Sequence, residues 1–197
     1  MRIICLDLEG VLVPEIWISL ANRTNIKELL VTTRDIEDYN ELMTHRLNVL
    51  KKEGLTIKDV NNAVSTLKPF EGAKNLLDKL SLNFQVIILS DTFYEIAGPL
   101  FNQLGNPNVF CHHLEISNSG TVEAYRLRIE DQKTRAVKAF KELGFSVAAA
   151  GDSYNDLGML MEADISVLFK APEFLIDEYK SFHHTDNYDV LYDLLSN

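Results

Sequence analysis

Asp7 and Glu9 are two carboxylates with one residue between them, placed directly after the apolar run Ile-Ile-Cys-Leu at residues 3–6. A pair so placed suits one nucleophile or metal ligand and one proton donor or acceptor. Gly10 behind them lets the chain turn sharply. Read alone, the pair is also consistent with a solvated strand end. Ser90 follows a second apolar run. Its hydroxyl could hydrogen-bond a phosphoryl oxygen, although a serine before a helix is commonly just an N-cap. Lys133 opens a helical pattern in a charged stretch, where a lone lysine is ordinarily solvated. Residues 151–156, Gly-Asp-Ser-Tyr-Asn-Asp, set Asp152 and Asp156 either side of a tight turn. Ser153 and Asn155 add oxygen between them, and hard oxygen ligands at a strand end suit Mg²⁺.

The elements that must carry these residues are short apolar runs separated by helical spacing. Runs at residues 3–6, 84–89 and 147–150, with a weaker one at 164–169, read as strands covered on both faces. Helical patterns fall at residues 71–82, 92–104, 132–143 and 155–163. Strands alternating with helices of this size predict a parallel sheet with helices on both faces. Each chemical cluster then stands at a strand end, where open α/β sheets build their sites.

Residues 14–68 break the rhythm. Pro14 suits a first helical turn. Helical spacing follows at residues 15–22, 38–53 and 57–67 with no strand signal between, and Gly54 reads as a helix stop. This predicts a small helical cap inserted after the first strand, with residues 1–13 and 69–197 as the core. Residues 113–117 and 121–127 alternate around Asn118-Ser119-Gly120, which predicts a β-hairpin.

Composition sets the bounds. The 197 residues are 46% hydrophobic and 24% charged, which is neither a disordered tail nor a membrane protein. Lysine and arginine number 19 against 29 acids, a net charge of −10, so nucleic acid is not the expected partner. No stretch approaches a membrane span, and no signal-peptide pattern is visible. Cys5 and Cys111 both sit in apolar runs and read as buried, reduced thiols. A cytoplasmic protein acting on small molecules is the expectation. His183 and His184 read as surface or packing histidines.

Taken in order, Asp7-Leu-Glu9-Gly, Ser90, Lys133 and Gly151-Asp152-Ser-Tyr-Asn155-Asp156 resemble the four motifs of the haloacid dehalogenase superfamily of phosphotransferases. The inserted segment resembles the cap of its phosphoserine phosphatases. Glu15 and Met43-Thr-His-Arg46-Leu47 match that family's amino-acid-recognition pattern, and residues 68–72 resemble its return from cap to core. The resemblance covers essentially the whole chain. It is strongest for the subgroup of bifunctional phosphoserine phosphatases that also transfer the phosphoryl group to homoserine.

The resemblance implies a Rossmann-like core, Mg²⁺ as cofactor, and O-phospho-L-serine and L-homoserine as small-molecule partners. A homodimer is compatible with it. It implies Asp7 as nucleophile and Glu9 as acid/base. Ser90 and Lys133 would hold the phosphoryl oxygens. Asp7, the Glu9 carbonyl, Asp152 and Asp156 would form the metal site. Glu15, Met43, Arg46, Asp91, Thr92 and Asn155 would bind substrate. The residues give one of these assignments physical support. Met43, Arg46, Leu47 and Leu50 fall at i, i+3, i+4 and i+7, so Arg46 shares an apolar helix face. A guanidinium there needs a partner, and a substrate carboxylate fits it bidentately.

Two positions depart from the usual pattern. The second acid is Glu9 rather than Asp, and Asp91-Thr92 stand where phosphoserine phosphatases have glycines. Both departures fit the bifunctional subgroup. Two other readings remain beside this one. A phospho-accepting receiver module shares the Asp, hydroxyl, Lys and Mg²⁺ but is smaller and lacks the inserted helices. A phosphatase for another small phosphomonoester is opposed only by Glu15 and Arg46.

Overall fold

The computed structural model describes every residue except Thr33, Arg34 and Glu37. These three fall within the inserted segment and lie outside the description that follows.

Seven strands form one sheet in the order β4-β3-β2-β1-β5-β6-β7. Strand β1 (Arg2–Leu6) lies at its centre, paired in parallel with β2 (Gln85–Phe93) and β5 (Ser146–Gly151). The register Leu6↔Ile88 and Leu6↔Ala150 brings the ends of these three strands to one edge. Asp7, Ser90 and Asp152 follow those paired residues, so the central strands alone gather them. Strands β6 (Ile165–Phe169) and β7 (His183–Thr185) continue the parallel sheet on one side. On the other side β3 (Asn108–Ile116) pairs in parallel with β2, and β4 (Val122–Arg126) runs antiparallel to β3.

Alternation along β1 explains why the sheet is covered twice. Ile4 and Leu6 join one buried cluster, while Ile3 and Cys5 join another. The first cluster takes in α4 (Ala73–Ser81), α5 (Tyr94–Gln103) and α9 (Tyr188–Ser196) through Leu76, Leu80, Ile96, Leu100, Leu191 and Leu195. The second takes in α6 (Gln132–Glu142), α7 (Leu157–Glu162) and α8 (Glu173–Glu178) through Val137, Leu160 and Leu175.

Between β1 and α4 the chain forms α1 (Ile16–Thr24), a short 3₁₀ turn at Lys27–Leu30, α2 (Tyr39–Lys52) and α3 (Ile57–Val64). Asp38 caps α2 by accepting the Glu41 N–H at 2.8 Å. Thr56 and Asp59 form a capping box on α3. The hairpin β3–β4 ties this segment to the core. The Ile57 N–H donates to the Gly120 carbonyl at 2.9 Å, and the Tyr125 hydroxyl donates to Asn40 Oδ1 at 2.5 Å.

Several expectations shift. Residues 92–93 belong to β2, and α5 begins only at Tyr94. Ser90 is therefore within a strand and does not cap a helix. The Ser90 and Asp91 carbonyls are satisfied by side chains from other elements, as described below. The first arm of the predicted hairpin is the end of a nine-residue strand, Asn108–Ile116. The helix read at 155–163 begins as a 3₁₀ turn at Tyr154–Asp156 before α7. Glu15 is the residue before α1, not in its first turn. The sequence reading assigned no element to α8, β7 or α9, although Leu191 and Leu195 of α9 fall at helical spacing.

Cys5 and Cys111 are free and fully buried, and burial pushes both thiols up to about 12. Neither is expected to react with a thiol reagent in the native chain, while denaturant should release both. Rapid labelling of either cysteine in native buffer would contradict this placement.

Candidate active site

The site is built around a buried lysine. Lys133, in the first turn of α6, places Nζ 2.8 Å from Asp156 Oδ1, 3.0 Å from Asp7 Oδ1 and 3.6 Å from Asp91 Oδ2. Its side chain is only 6% exposed. Burial opposes its charge, but Asp156, Asp7 and Asp91 together hold its pKa well above the usual lysine value.

Asp7 is held at the end of β1 by its own N–H, which donates to the Ala150 carbonyl at 3.0 Å. Its Oδ1 accepts from the Leu8 N–H at 2.7 Å and faces Lys133. That leaves Oδ2 without a hydrogen bond from the described residues. Burial, then the neighbouring Asp156 and Asp152, raise its carboxyl well above the ordinary range against the pull of Lys133.

Asp156 has no exposed surface, and both of its oxygens are engaged by the protein. Oδ1 meets Lys133. Oδ2 accepts from the N–H groups of Asp152 and Ser153 at 2.9 and 3.1 Å. It thereby fixes the loop that carries Asp152. Two glycines make room for this packing. A Cβ on Gly151 would collide with the Asp156 carboxylate, and one on Gly10 with that of Asp152. Gly10 also has φ +78°, which L side chains rarely adopt.

Asp7, Asp152 and Asp156 each offer an oxygen within 4.8 Å of the others. The donor set is all hard oxygen, so these residues fit a divalent cation such as Mg²⁺.

Ser90, Asp91 and Thr92 form the third wall. Gln132 Nε2 donates to the Ser90 carbonyl at 2.5 Å, and the Tyr39 hydroxyl, from α2, donates to the Asp91 carbonyl at 2.9 Å. The Thr92 N–H lies 3.3 Å from Ser90 Oγ and donates to it. With that lone pair used, the serine O–H remains available to donate. Buried His112 approaches Asp91 Oδ1 at 3.5 Å through Nε2, while its Nδ1 accepts the Arg128 N–H at 3.1 Å. Burial works against the Asp91 charge, but Lys133, His112 and Gln132 hold its pKa down to about 2.

These walls enclose a cavity of about 300 Å³ whose roof is the inserted segment. Glu15, Trp17, Ile18, Thr32, Tyr39, Leu42 and Arg46 contribute from above. Arg46 is 8% exposed and stacks over Trp17 at 4.8 Å. One of its amino groups donates to the Val31 carbonyl at 3.2 Å, and its Nε has no hydrogen-bond partner among the described residues. Glu9 Oε1 is buried and accepts no hydrogen bond from the described residues. Burial and the adjacent Glu15 raise the Glu9 carboxyl well above its usual value, with Arg46 opposing.

The cavity therefore brings together Asp7, Glu9, Glu15, Arg46, Ser90, Asp91, Thr92, Lys133, Asp152 and Asn155. Two expected site residues do not line it. Met43 is fully buried in α2 and places its sulfur 3.9 Å from an Arg46 amino group, so it packs beneath the arginine. Asp156 lies behind Lys133. Tyr39, Trp17, Gln132 and His112 escaped the sequence reading. Gln132 adjoins Lys133 and could have been suspected. His112 sits in an apolar strand with nothing local to mark it.

A mostly parallel sheet thus carries a buried lysine–carboxylate centre at its strand ends, roofed by the helices between β1 and α4. The profile of the haloacid dehalogenase-like hydrolases matches residues 1–164, and the chain belongs to that family. It is 53% identical to phosphoserine phosphatase ThrH of Pseudomonas aeruginosa over 191 residues, 97% of this chain and 93% of that protein. A phosphoserine phosphatase of Pseudomonas syringae pv. tomato is 51% identical, covering 97% of this chain and 81% of its own length. A solved apo phosphoserine phosphatase shares the fold with a TM-score of 0.78 at 22% identity, covering 98% of this chain and 97% of its own.

Proposed function

We propose that the protein is a Mg²⁺-dependent phosphoserine phosphatase that works through an aspartyl-phosphate on Asp7 and also passes the phosphoryl group to L-homoserine. The observation that carries the reading is one cavity with two ends. One end gathers Asp7, Ser90, Lys133 and Asp152. The other presents buried Arg46 with Glu15 and Glu9. The first end suits a phosphoryl group, and the second suits an α-amino acid. The similarity to ThrH points the same way.

Asp7, the Glu9 carbonyl and Asp152 would hold Mg²⁺, with Asp156 orienting the loop beneath. When bound, the ion supplies positive charge that lets an anionic carboxylate approach a dianionic phosphoryl group. Asp7 attacks phosphorus through Oδ2, the oxygen that Leu8 and Lys133 leave open. Ser90 and Lys133 hold non-bridging oxygens. The bond from phosphorus to the serine oxygen breaks, and Glu9 gives that oxygen its proton. In the second half, Glu9 takes a proton from the attacking hydroxyl. Water then releases inorganic phosphate, and homoserine leaves as O-phosphohomoserine. Asp7 is restored in both cases. Homoserine has the ammonium and carboxylate of serine with its hydroxyl one carbon further out, so the same clamp would hold it.

Phosphorus NMR of O-phospho-L-serine with Mg²⁺, with and without L-homoserine, tests this reading. Phosphate alone, then phosphate plus O-phosphohomoserine, is expected. Hydrolysis with no phosphohomoserine at saturating L-homoserine would leave a plain phosphatase, and no reaction at all would end the reading. The same assay in excess chelator should stop and then recover on adding Mg²⁺.

Arg46→Ala should lower kcat/KM for O-phospho-L-serine by about 2–5 kcal/mol equivalent, the cost of cutting a buried charge pair on one side. An aryl phosphate without a carboxylate should lose much less. Arg46 also packs on Trp17 and Met43, so thermal unfolding belongs beside the kinetics. Equal losses on both substrates would make Arg46 a packing residue only.

A further inference from the structure

Three buried side-chain atoms without a hydrogen-bond partner among the described residues belong to residues that line the cavity. They are Glu9 Oε1, Arg46 Nε and Thr92 Oγ1. A buried polar atom left unpaired costs stability, so a native site that keeps three of them is shaped for something that completes them. The arginine nitrogen can only donate, and a threonine hydroxyl can donate as well as accept. One buried donor in Arg46 and a second in Thr92 match the two oxygens of a carboxylate. The Glu9 oxygen matches the alcohol end.

Thr92 is well fixed for such a task. Residues 90–92 are held from both sides, by Gln132 on the Ser90 carbonyl and Tyr39 on the Asp91 carbonyl. Its own N–H is committed to Ser90 Oγ, which leaves the hydroxyl as its remaining donor. The residue is 4% exposed, so water does not compete freely there. Thr92 stands two residues beyond Ser90 on β2, in the stretch where the pairing with β3 shifts register. Thr92 and Arg46 line the same cavity as Ser90. An O-phosphorylated α-amino acid carries its carboxyl carbon four bonds from phosphorus, a separation that a cavity of this size accommodates.

We propose that Thr92 is a specificity-determining residue whose hydroxyl shares the substrate carboxylate with Arg46. The inference rests on the phosphoserine reading of the site and adds a second carboxylate donor to it. It also gives a reason for threonine at this place, since a glycine would supply no donor. A site built to hydrogen-bond a group discriminates strongly against an analogue that lacks it, because the buried donors are then left unpaired.

The test uses two substrates that differ only by that carboxylate, O-phospho-L-serine and O-phosphoethanolamine. Hydrolysis of each is followed in Mg²⁺ for the wild type, Thr92→Val and Thr92→Ser. Thr92→Val keeps the shape and removes the hydroxyl. It should lose about 10- to 100-fold in kcat/KM on phosphoserine, the size expected for a hydrogen bond to a charged group. Its loss on phosphoethanolamine should be about tenfold smaller or less. Thr92→Ser should recover most of the phosphoserine rate. Equal losses on the two substrates would place the hydroxyl on the phosphoryl group or in the packing, and would overturn the inference. No loss on either would overturn it as well. A wild type with no preference for phosphoserine over phosphoethanolamine would instead overturn the phosphoserine reading itself, before any variant is compared.

Discussion

Asp7→Asn is expected to leave a folded chain whose turnover of phosphoserine has fallen by at least ~10⁴-fold, since removing a covalent nucleophile has effects of this order. The neutral amide has the shape of the carboxylate but cannot form an acyl-phosphate. Its environment favours retention of the fold. Asp7 lies among like charges that raise its carboxyl, so a neutral side chain relieves repulsion rather than creating it. The Leu8 N–H would still find an oxygen at position 7. Thermal unfolding should therefore show a melting temperature equal to or above that of the wild type in chelator. A folded variant with near wild-type turnover would remove Asp7 from the chemistry.

The second large effect concerns Lys133. Lys133→Met keeps the length of the side chain and removes the cation that meets Asp7, Asp91 and Asp156. Breaking a buried ion pair from one side typically costs about 3–5 kcal/mol, because the remaining charge is stranded. Here one cation serves three carboxylates, two of which are almost fully buried. Urea unfolding in chelator should show that loss as a lowered midpoint with little change in slope. Added Mg²⁺ should restore part of it, since a cation that binds only the native state stabilises that state. An unchanged midpoint would mean that the lysine is not what offsets this cluster, and the account of the site's electrostatics would be wrong.

Much of this site was legible in the sequence, for a physical reason. Asp7, Ser90 and Asp152 each end an apolar run, and a buried parallel strand that stops abruptly in a polar residue marks a sheet edge. Arg46 was legible because a guanidinium on an apolar helix face demands a partner. Lys133 was legible only through its order among the other clusters. Of residues 90–92, Thr92 was misread as the start of the helical pattern 92–104. They remain strand because Tyr39 and Gln132, which are 93 residues apart in the chain, satisfy their carbonyls from two elements. His112 carried no local signal, since its role depends on Asp91 and the Arg128 backbone meeting it across the sheet edge. Met43 matched a recognition pattern, and the structure places it fully buried with its sulfur 3.9 Å from an Arg46 amino group. Toward the C-terminus, α8 and β7 are too short for periodicity to show.

The central claim is that the phosphoryl group of phosphoserine rests on Asp7 before it reaches water or an alcohol. Mixing the protein with O-phospho-L-serine and Mg²⁺, quenching in the steady state and reducing with borohydride tests it directly. An aspartyl-phosphate is reduced to an alcohol, and peptide mass spectrometry locates the altered side chain. The account predicts reduction at position 7, dependent on phosphoserine and absent in Asp7→Asn. Reduction at any other carboxylate, or continued turnover with position 7 unaltered in every quenched sample, would contradict it.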